Sequence, residues 1–487
     1  MSYNPHIRHL FCLLVLLLFG RAAPALEIPQ LDTLTLNNGL KVFLLQQDEG
    51  ADLNIRLVIN GGKKNETACQ VGYSEIIQRL LSEALKDQFS CAIRQGQTII
   101  TSNCSVAGLN KKMELLSIAL SRLAFTQSGM DRAVASIRDT YRMENMSSAF
   151  LAAVYGNLIL YGIQHPLGRA YCQYQVEKVI PEQLRDFYLE HYLPKGSFLV
   201  VCGNLNVYAT RKTIAKHFVR WRLLRKPDHL APDLALPVPK FKGQQVAFVN
   251  QREMKQCLLK WLQPAPAFNS PDHLPFMLAC RLFDGHMSRQ LQQLEGEGQD
   301  SLLFNPLGYT NGFMEANAQA SRDQMIRAKQ LFDTALHRFR QVKFTEVDVE
   351  TAKEQLKNTY LQLNGPESLA SFYDPLAYDF NDRRNYLANV AAIRLPDLHA
   401  VLKKYFNPDA YKLIIVGSEQ ALKSQLDTLK NISRHQAWEF ETCDEACKEI
   451  VILKCHCESC YRRGQCYTWR FDPSRKDAIK NAKARAK

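Results

Sequence analysis

Two segments of the chain share the same order of structural signals. The first is IPEQLRDFYLEHYLPKGSFLVVCGNLN, residues 180–206, and the second is LPDLHAVLKKYFNPDAYKLIIVGSEQ, residues 395–420. Each predicts a helix that begins at a proline, a turn that contains another proline, and an apolar strand that ends in glycine. In both, the turn proline lies nine residues before that glycine. A repeat about 214 residues apart is too long for a solenoid and predicts two similar domains.

The rest of the chain can be divided around this repeat. Each half opens with strand-like runs and continues with long helical patterns, which predicts α+β domains with antiparallel-rich sheets backed by helices. A proline-rich stretch without helical period separates the halves and predicts an extended linker. The predicted divisions are a signal peptide at 1–25, a first domain at 26–224, a linker at 225–244, a second domain at 245–437 and a cysteine-rich basic appendage at 438–487.

The N-terminus has the pattern of an export signal. The apolar run LFCLLVLLLFG is eleven residues long, too short to cross a bilayer, and the small residues APA follow it. We therefore expect cleavage after Ala25, with an uncleaved anchor as the alternative. The periplasm is the expected location, and the extracellular space or the secretory pathway is the alternative.

The appendage concentrates cysteine. Six of the chain's fourteen cysteines lie there: Cys443, Cys447, Cys455, Cys457, Cys460 and Cys466. In an exported protein this crowding favours disulfides, and four thiolates around a structural zinc ion are the alternative. Six cysteines allow 15 pairings, so the connectivity stays open.

The end of the appendage is basic. Residues 473–487 hold six basic side chains and one acidic side chain, and the whole chain has a net charge of +13. The tail is interpreted as a solvated segment, with contact to an anionic membrane surface as the alternative. Nucleic-acid binding is not expected, because no motif for it accompanies the charge.

The stretch GYSEIIQRLLSEAL, residues 72–85, predicts an amphipathic helix. Its apolar residues follow the i, i+3, i+4, i+7 spacing of a buried face. We expect Glu75, Gln78 and Arg79 on the exposed face, with Glu75, Arg79 and Glu83 as a ladder of charges four residues apart.

Five pieces of the sequence, in order, resemble the M16 (insulinase/pitrilysin-type) metallopeptidases, which include mitochondrial processing peptidase subunits. They are LNNGLKVFLLQ at 36–46, Gly62 and Glu66 followed by Gly72, HPLGR at 165–169, DGHMSRQLQQL at 284–294, and FTEVDVETAKEQL at 344–356. The resemblance covers roughly residues 30–435. It implies two homologous domains of the M16 type and a clamshell built by pairing such units.

The family's catalytic helix carries the pattern H-x-x-E-H, in which two histidines on one helix face bind zinc and the glutamate is the general base. Aligned on Gly72, the three positions hold Glu75, Gln78 and Arg79. Glutamine cannot take up the proton, and arginine has no lone pair for a metal. The resemblance therefore implies a degenerate motif without the family's zinc.

Two further family positions also depart from the pattern. The family's third ligand is a carboxylate on a later helix, for which Asp139 is the candidate here. In the second domain, Glu295 stands at the position of an arginine that grips the substrate backbone in the family. The sequence also lacks the G-x-S-x-G, P-loop and dinucleotide patterns of other enzyme classes.

These observations predict an exported M16-like protein without peptidase activity, which serves as a structural or regulatory partner of an active M16 subunit in a heterodimer. A homodimer is the alternative assembly. A stand-alone scaffold in the cell envelope that binds a peptide or protein is the alternative function, and an active metallopeptidase with an atypical site is a lesser one. Restoring Glu75→His, Gln78→Glu and Arg79→His is expected to be tolerated by the fold without giving activity.

Overall fold

A computed structural model describes most of the chain between residues 30 and 436. The described ranges are 30–47, 52–67, 70–94, 96–144, 147–162, 165–170, 176–221, 241–252, 254–267, 270–292, 302–310, 312–361, 385–429 and 432–436. The signal peptide, the greater part of the linker, Glu295 and the cysteine-rich appendage lie outside these ranges. The predicted domain boundaries therefore stay predictions.

The first half contains six strands and six helices among the described residues. The strands are β1 (Gln30–Thr35), β2 (Lys41–Gln46), β3 (Asp52–Ile59), β4 (Ser90–Arg94), β5 (Gln97–Ser105) and β6 (Phe198–Gly203). The helices are α1 (Tyr73–Ala84), α2 (Leu109–Ser121), α3 (Gln127–Glu144), α4 (Ser148–Tyr161), α5 (Pro181–His191) and α6 (Val207–Phe218). Side chains of α1, α2, α3, α5 and α6 pack with the sheet in one apolar core.

The second half has the same layout. Its strands are β7 (Gln245–Asn250), β8 (Gln256–Pro264), β9 (Leu302–Thr310), β10 (Phe313–Ser321), β11 (Lys412–Gly417) and β12 (Ile432–Gln436). Its described helices are α7 (His273–Gln292), α8 (Met325–Gln341), α9 (Glu346–Leu361), α10 (Tyr386–Ala391), α11 (Leu395–Tyr405) and α12 (Glu419–Leu426). The helices α7 to α12 contribute to a second core beside this sheet.

The strand orders show why the two repeat segments resemble each other. The first sheet runs β1-β2-β6-β3-β5-β4, and the second runs β12-β7-β11-β8-β10-β9. Each repeat segment supplies the third strand, β6 or β11, which is parallel to one neighbour and antiparallel to the other. Both strands are buried along their whole length, which explains their continuous apolar sequences. The predicted fold class is confirmed.

One helix of the first half packs on the sheet of the second. Helix α4 is apolar on nearly all sides, and its residues Leu151 and Tyr155 cluster with Leu262 and Ile414 of β8 and β11. The ammonium of Lys412 in β11 donates a hydrogen bond of 2.6 Å to the carbonyl of Ile159 near the end of α4. The second sheet is therefore covered on both faces, and the two halves are joined by more than the linker.

Candidate functional site

The site predicted from the sequence lies on α1, whose apolar stripe is buried as expected. Tyr73, Ile76, Ile77, Leu80 and Leu81 are all buried against the first core. The hydroxyl of Tyr73 also donates a hydrogen bond of 2.8 Å to Gln183 of α5. These contacts fix the rotation of α1 about its axis, and with it the directions of the polar side chains.

A buried carboxylate holds the start of α1. Gly72, the residue before the helix, has a φ of +93° and no side chain with which to cap the first turn. Glu66 takes that role: its carboxylate accepts hydrogen bonds from the backbone N–H of Ser74 at 2.9 Å and from the Ser74 hydroxyl. Negative charge at a helix N-terminus is favourable, because the N–H groups of the first turn point toward it.

Two basic side chains connect the backbone near Glu66 to the HPLGR segment. The ammonium of Lys63 donates to the Arg169 carbonyl at 2.7 Å, and the Arg169 guanidinium donates to the Glu66 carbonyl at 3.2 Å. Two of the sequence pieces that resemble the M16 family, 62–66 and 165–169, therefore contact each other through polar atoms. Glu66 and Arg169 belong to the pieces of sequence that resemble the family. No signal in the sequence indicated that Lys63 and Ser74 would cluster with them.

Burial shifts the pKa values of this cluster toward the neutral forms. It raises the pKa of Glu66 to about 7, although hydrogen bonds from Ser74 and the charge of Lys63 oppose the rise. It also lowers the pKa of Lys63 and raises that of Glu75. For Glu75 the opposing charges are those of Arg79 and Lys63.

The three degenerate positions do not share one exposed face, which corrects the prediction. Gln78 is buried, and its amide donates a hydrogen bond to the backbone carbonyl of Cys91 in β4. Glu75 and Arg79 are half-buried and form an ion pair at 3.7 Å. The predicted charge ladder is correct for this pair only, because Glu83 pairs instead with Arg132 of α3 at 2.6 Å.

Asp139, the candidate for the third metal ligand, also does not lie where a metal site would need it. Arg79 donates a hydrogen bond of 3.1 Å to the hydroxyl of Thr140 on α3, while the adjacent Asp139 is exposed. The structure thus brings Glu75 and Arg79 together without bringing Asp139 into contact with them. Glu295 lies outside the described residues, between the end of α7 and the start of β9.

These side chains do not fit the catalytic zinc of the M16 peptidases. A zinc site needs lone pairs from at least three side chains, whereas Arg79 has none and places a positive charge beside Glu75. Within the residues that the structure describes, no group of three or more His, Cys, Asp or Glu side chains is placed to hold a metal ion. At the three motif positions, the side chains make an ion pair and hydrogen bonds within the protein.

Comparison with known proteins bears on the family and the fold. The family model described as the Peptidase M16 inactive domain matches residues 178–356, from just before α5 into α9. No curated protein sequence gives a significant match. The resemblance to M16 peptidases is confirmed, and the match to an inactive domain supports a non-catalytic M16-like protein.

Solved structures show the same fold at low sequence identity. A protease from Helicobacter pylori is 16% identical with a TM-score of 0.67, over 80% of this chain and 99% of that one. The M16 inactive domain from Pseudomonas fluorescens is 13% identical with a TM-score of 0.65, over 80% and 98%. The first half of the periplasmic protease PqqL from Escherichia coli is 15% identical with a TM-score of 0.65, over 82% and 95%, whereas the match to whole PqqL spans 49% of its length.

The raised pKa of Glu66 predicts a pH-dependent stability. A carboxyl group whose pKa is higher in the folded state stabilises the fold below its unfolded pKa, and this contribution is lost as the pH rises through the folded pKa. The window therefore runs from the ordinary value of 4.5 to about 7. As the pH rises through this window, we expect the unfolding free energy of wild type to fall by up to about 3 kcal/mol relative to that of Glu66→Gln.

Urea unfolding across this pH range measures the effect. Glu346→Gln, at an exposed glutamate in the first turn of α9, is the matched control and should follow wild type. Parallel pH profiles for wild type and Glu66→Gln would show that Glu66 does not titrate in this window.

The buried position of Gln78 predicts that a general base cannot be restored without cost. In Gln78→Glu the donor to the Cys91 carbonyl is lost and a carboxylate faces that carbonyl in a buried place. We expect a loss of about 2–4 kcal/mol in unfolding free energy. The expectation that the triple restoration is tolerated by the fold is revised accordingly.

Urea unfolding at neutral pH tests this, with Gln355→Glu on the exposed side of α9 as the control for the same chemical change. The control should remain within about 0.5 kcal/mol of wild type. A Gln78→Glu variant as stable as the control would contradict the structural role of Gln78.

Proposed function

We propose that this chain is an exported, catalytically inactive M16-like protein that acts as a structural or regulatory partner of an active M16 zinc peptidase. The observation that carries the proposal is the set of contacts made by the polar side chains of α1. At the positions of the zinc ligands and the general base, Glu75 forms an ion pair with Arg79, and Arg79 also donates a hydrogen bond to Thr140. Gln78 donates a hydrogen bond to the Cys91 carbonyl. A helix with these contacts has a structural role rather than a catalytic one.

The partial match to PqqL supports a role within a larger assembly. The chain spans 49% of the length of whole PqqL, so a clamshell of PqqL length would require a further unit of similar size. An M16 subunit with an intact H-x-x-E-H motif would supply the missing chemistry. A second copy of this chain would give a closed chamber without a reaction, and it would then act as a binding scaffold for a peptide or protein.

Export and the appendage belong to the proposal. The pattern of the first 25 residues supports export, and PqqL is a periplasmic protein. Among the helices that the structure describes, none combines the length and the apolar character needed to cross a membrane. The six clustered cysteines, Cys443 to Cys466, would stabilise the appendage through disulfides, or through a structural zinc ion if they remain reduced.

Purification from the native cells tests the partner role. The full chain is isolated without chelator under mild conditions, and co-purifying proteins are identified and quantified by mass spectrometry. We expect an M16 subunit with H-x-x-E-H in a one-to-one ratio, because the α1 site of this chain cannot supply the chemistry.

Isolation of the chain alone or as a homodimer, repeatedly and without such a subunit, would contradict the partner role and favour the scaffold.

The isolated chain should not cleave unstructured peptides. Chelator-sensitive cleavage that survives in Gln78→Ala would show an active site elsewhere in the chain.

A further inference from the structure

Helix α6 carries a continuous basic face on the surface of the first half. Tyr208, Lys212, Lys216 and Arg220 are spaced four residues apart, so they lie on one side of the helix and its last turn. All four are exposed, and Tyr208 is 78% exposed. This face is distinct from the buried side of α6, where Ile214 and Phe218 enter the core.

Among the residues that the structure describes, no acidic side chain neutralises this face. Helix α6 contains no aspartate or glutamate, and its one arginine, Arg211, is already paired with Asp32 of β1. Across the part of the chain that the structure describes, Lys212, Lys216 and Arg220 form no ion pair.

The pKa of a nearby histidine is lowered by burial and by the local positive charge. Burial lowers the pKa of His217, and the charges of Lys216 and Arg220 lower it further, whereas the charge of Glu114 on α2 raises it.

The second half provides an internal comparison. Helix α12 follows β11 as α6 follows β6, and these two strands hold the same place in their sheets. Counted from the first residue of each helix, the positions that correspond to Tyr208, Lys212 and Lys216 are Gln420, Ser424 and Thr428, which are uncharged. Arg434 also pairs with Glu419 at 2.7 Å and with Asp427 at 2.8 Å. The fold therefore does not require a cationic face at this place.

We propose that the exposed face of α6 docks on the surface of a bilayer that contains anionic phospholipid. Three unpaired cations in a row match the negative headgroups, each strengthening association severalfold. Tyr208 and the half-exposed Val219 stand at the two ends of the row and can enter the headgroup region. A twelve-residue helix is about 18 Å long, which allows it to lie flat on the surface.

Vesicle sedimentation with the full chain tests the proposal. The probe is a vesicle of phosphatidylcholine with about one third phosphatidylglycerol, compared with phosphatidylcholine alone. Wild type should bind the anionic vesicles only. Lys212→Glu/Lys216→Glu/Arg220→Glu should lower the partition coefficient at least about 100-fold, from roughly fivefold for each cation. Tyr208→Ser should lower it severalfold.

A charge-matched control separates the helix from the net charge. Arg340→Glu/Lys403→Glu/Lys423→Glu changes the same number of exposed cations in the second half and should bind within about twofold of wild type. Far-UV circular dichroism and thermal unfolding confirm that the variants fold.

Three results would overturn the proposal: equal binding of the α6 variant and wild type, equal binding to neutral vesicles, or equal losses in the two triple variants. A fourth is a loss confined to alanine substitution of Lys480, Lys483, Arg485 and Lys487, because it would assign membrane contact to the tail instead.

Discussion

The hydrogen bonds between Glu66 and Ser74 determine where α1 begins, and the polar geometry of the first half follows from that point. Gly72 cannot cap the helix, and its φ of +93° suits the turn that brings Glu66 beneath the first N–H groups. Once the start and the apolar face are fixed, Gln78 must lie against β4 and Arg79 must lie against α3. Burial raises the pKa of the Glu66 carboxyl group, and the hydrogen bonds that this group forms with Ser74 fix the start of α1.

At the three positions of the peptidase motif, the side chains contact other parts of the protein and do not surround an open metal site. Gln78 satisfies a backbone carbonyl of β4, and Arg79 links Glu75 to Thr140. Buried polar groups are costly when unpaired, and the hydrogen bond of the Gln78 amide and the ion pair of Glu75 with Arg79 reduce that cost without a metal ion. We therefore expect that returning the three motif residues alone does not give activity.

Much of the fold could be predicted because its signals are local. The two proline-started helices, the strands that end in Gly203 and Gly417, and the buried stripe of α1 all follow from residue spacing. The polar contacts of the site could not be predicted in this way. Lys63 and Arg169 are 106 residues apart. Helical periodicity predicts an exposed Gln78, because it does not show that β4 covers that side of α1. Likewise, the apolar character of α4 indicates burial without showing that the covering surface is the second sheet.

Zinc content tests the central claim most directly. The protein with its six appendage cysteines changed to serine is equilibrated with zinc and freed of excess, and bound metal per chain is measured by inductively coupled plasma mass spectrometry. Because Arg79 and Gln78 occupy the ligand and base positions, we predict no zinc above background. One equivalent of zinc that disappears in Glu75→Ala would contradict the account, since it would show that α1 still binds the catalytic metal.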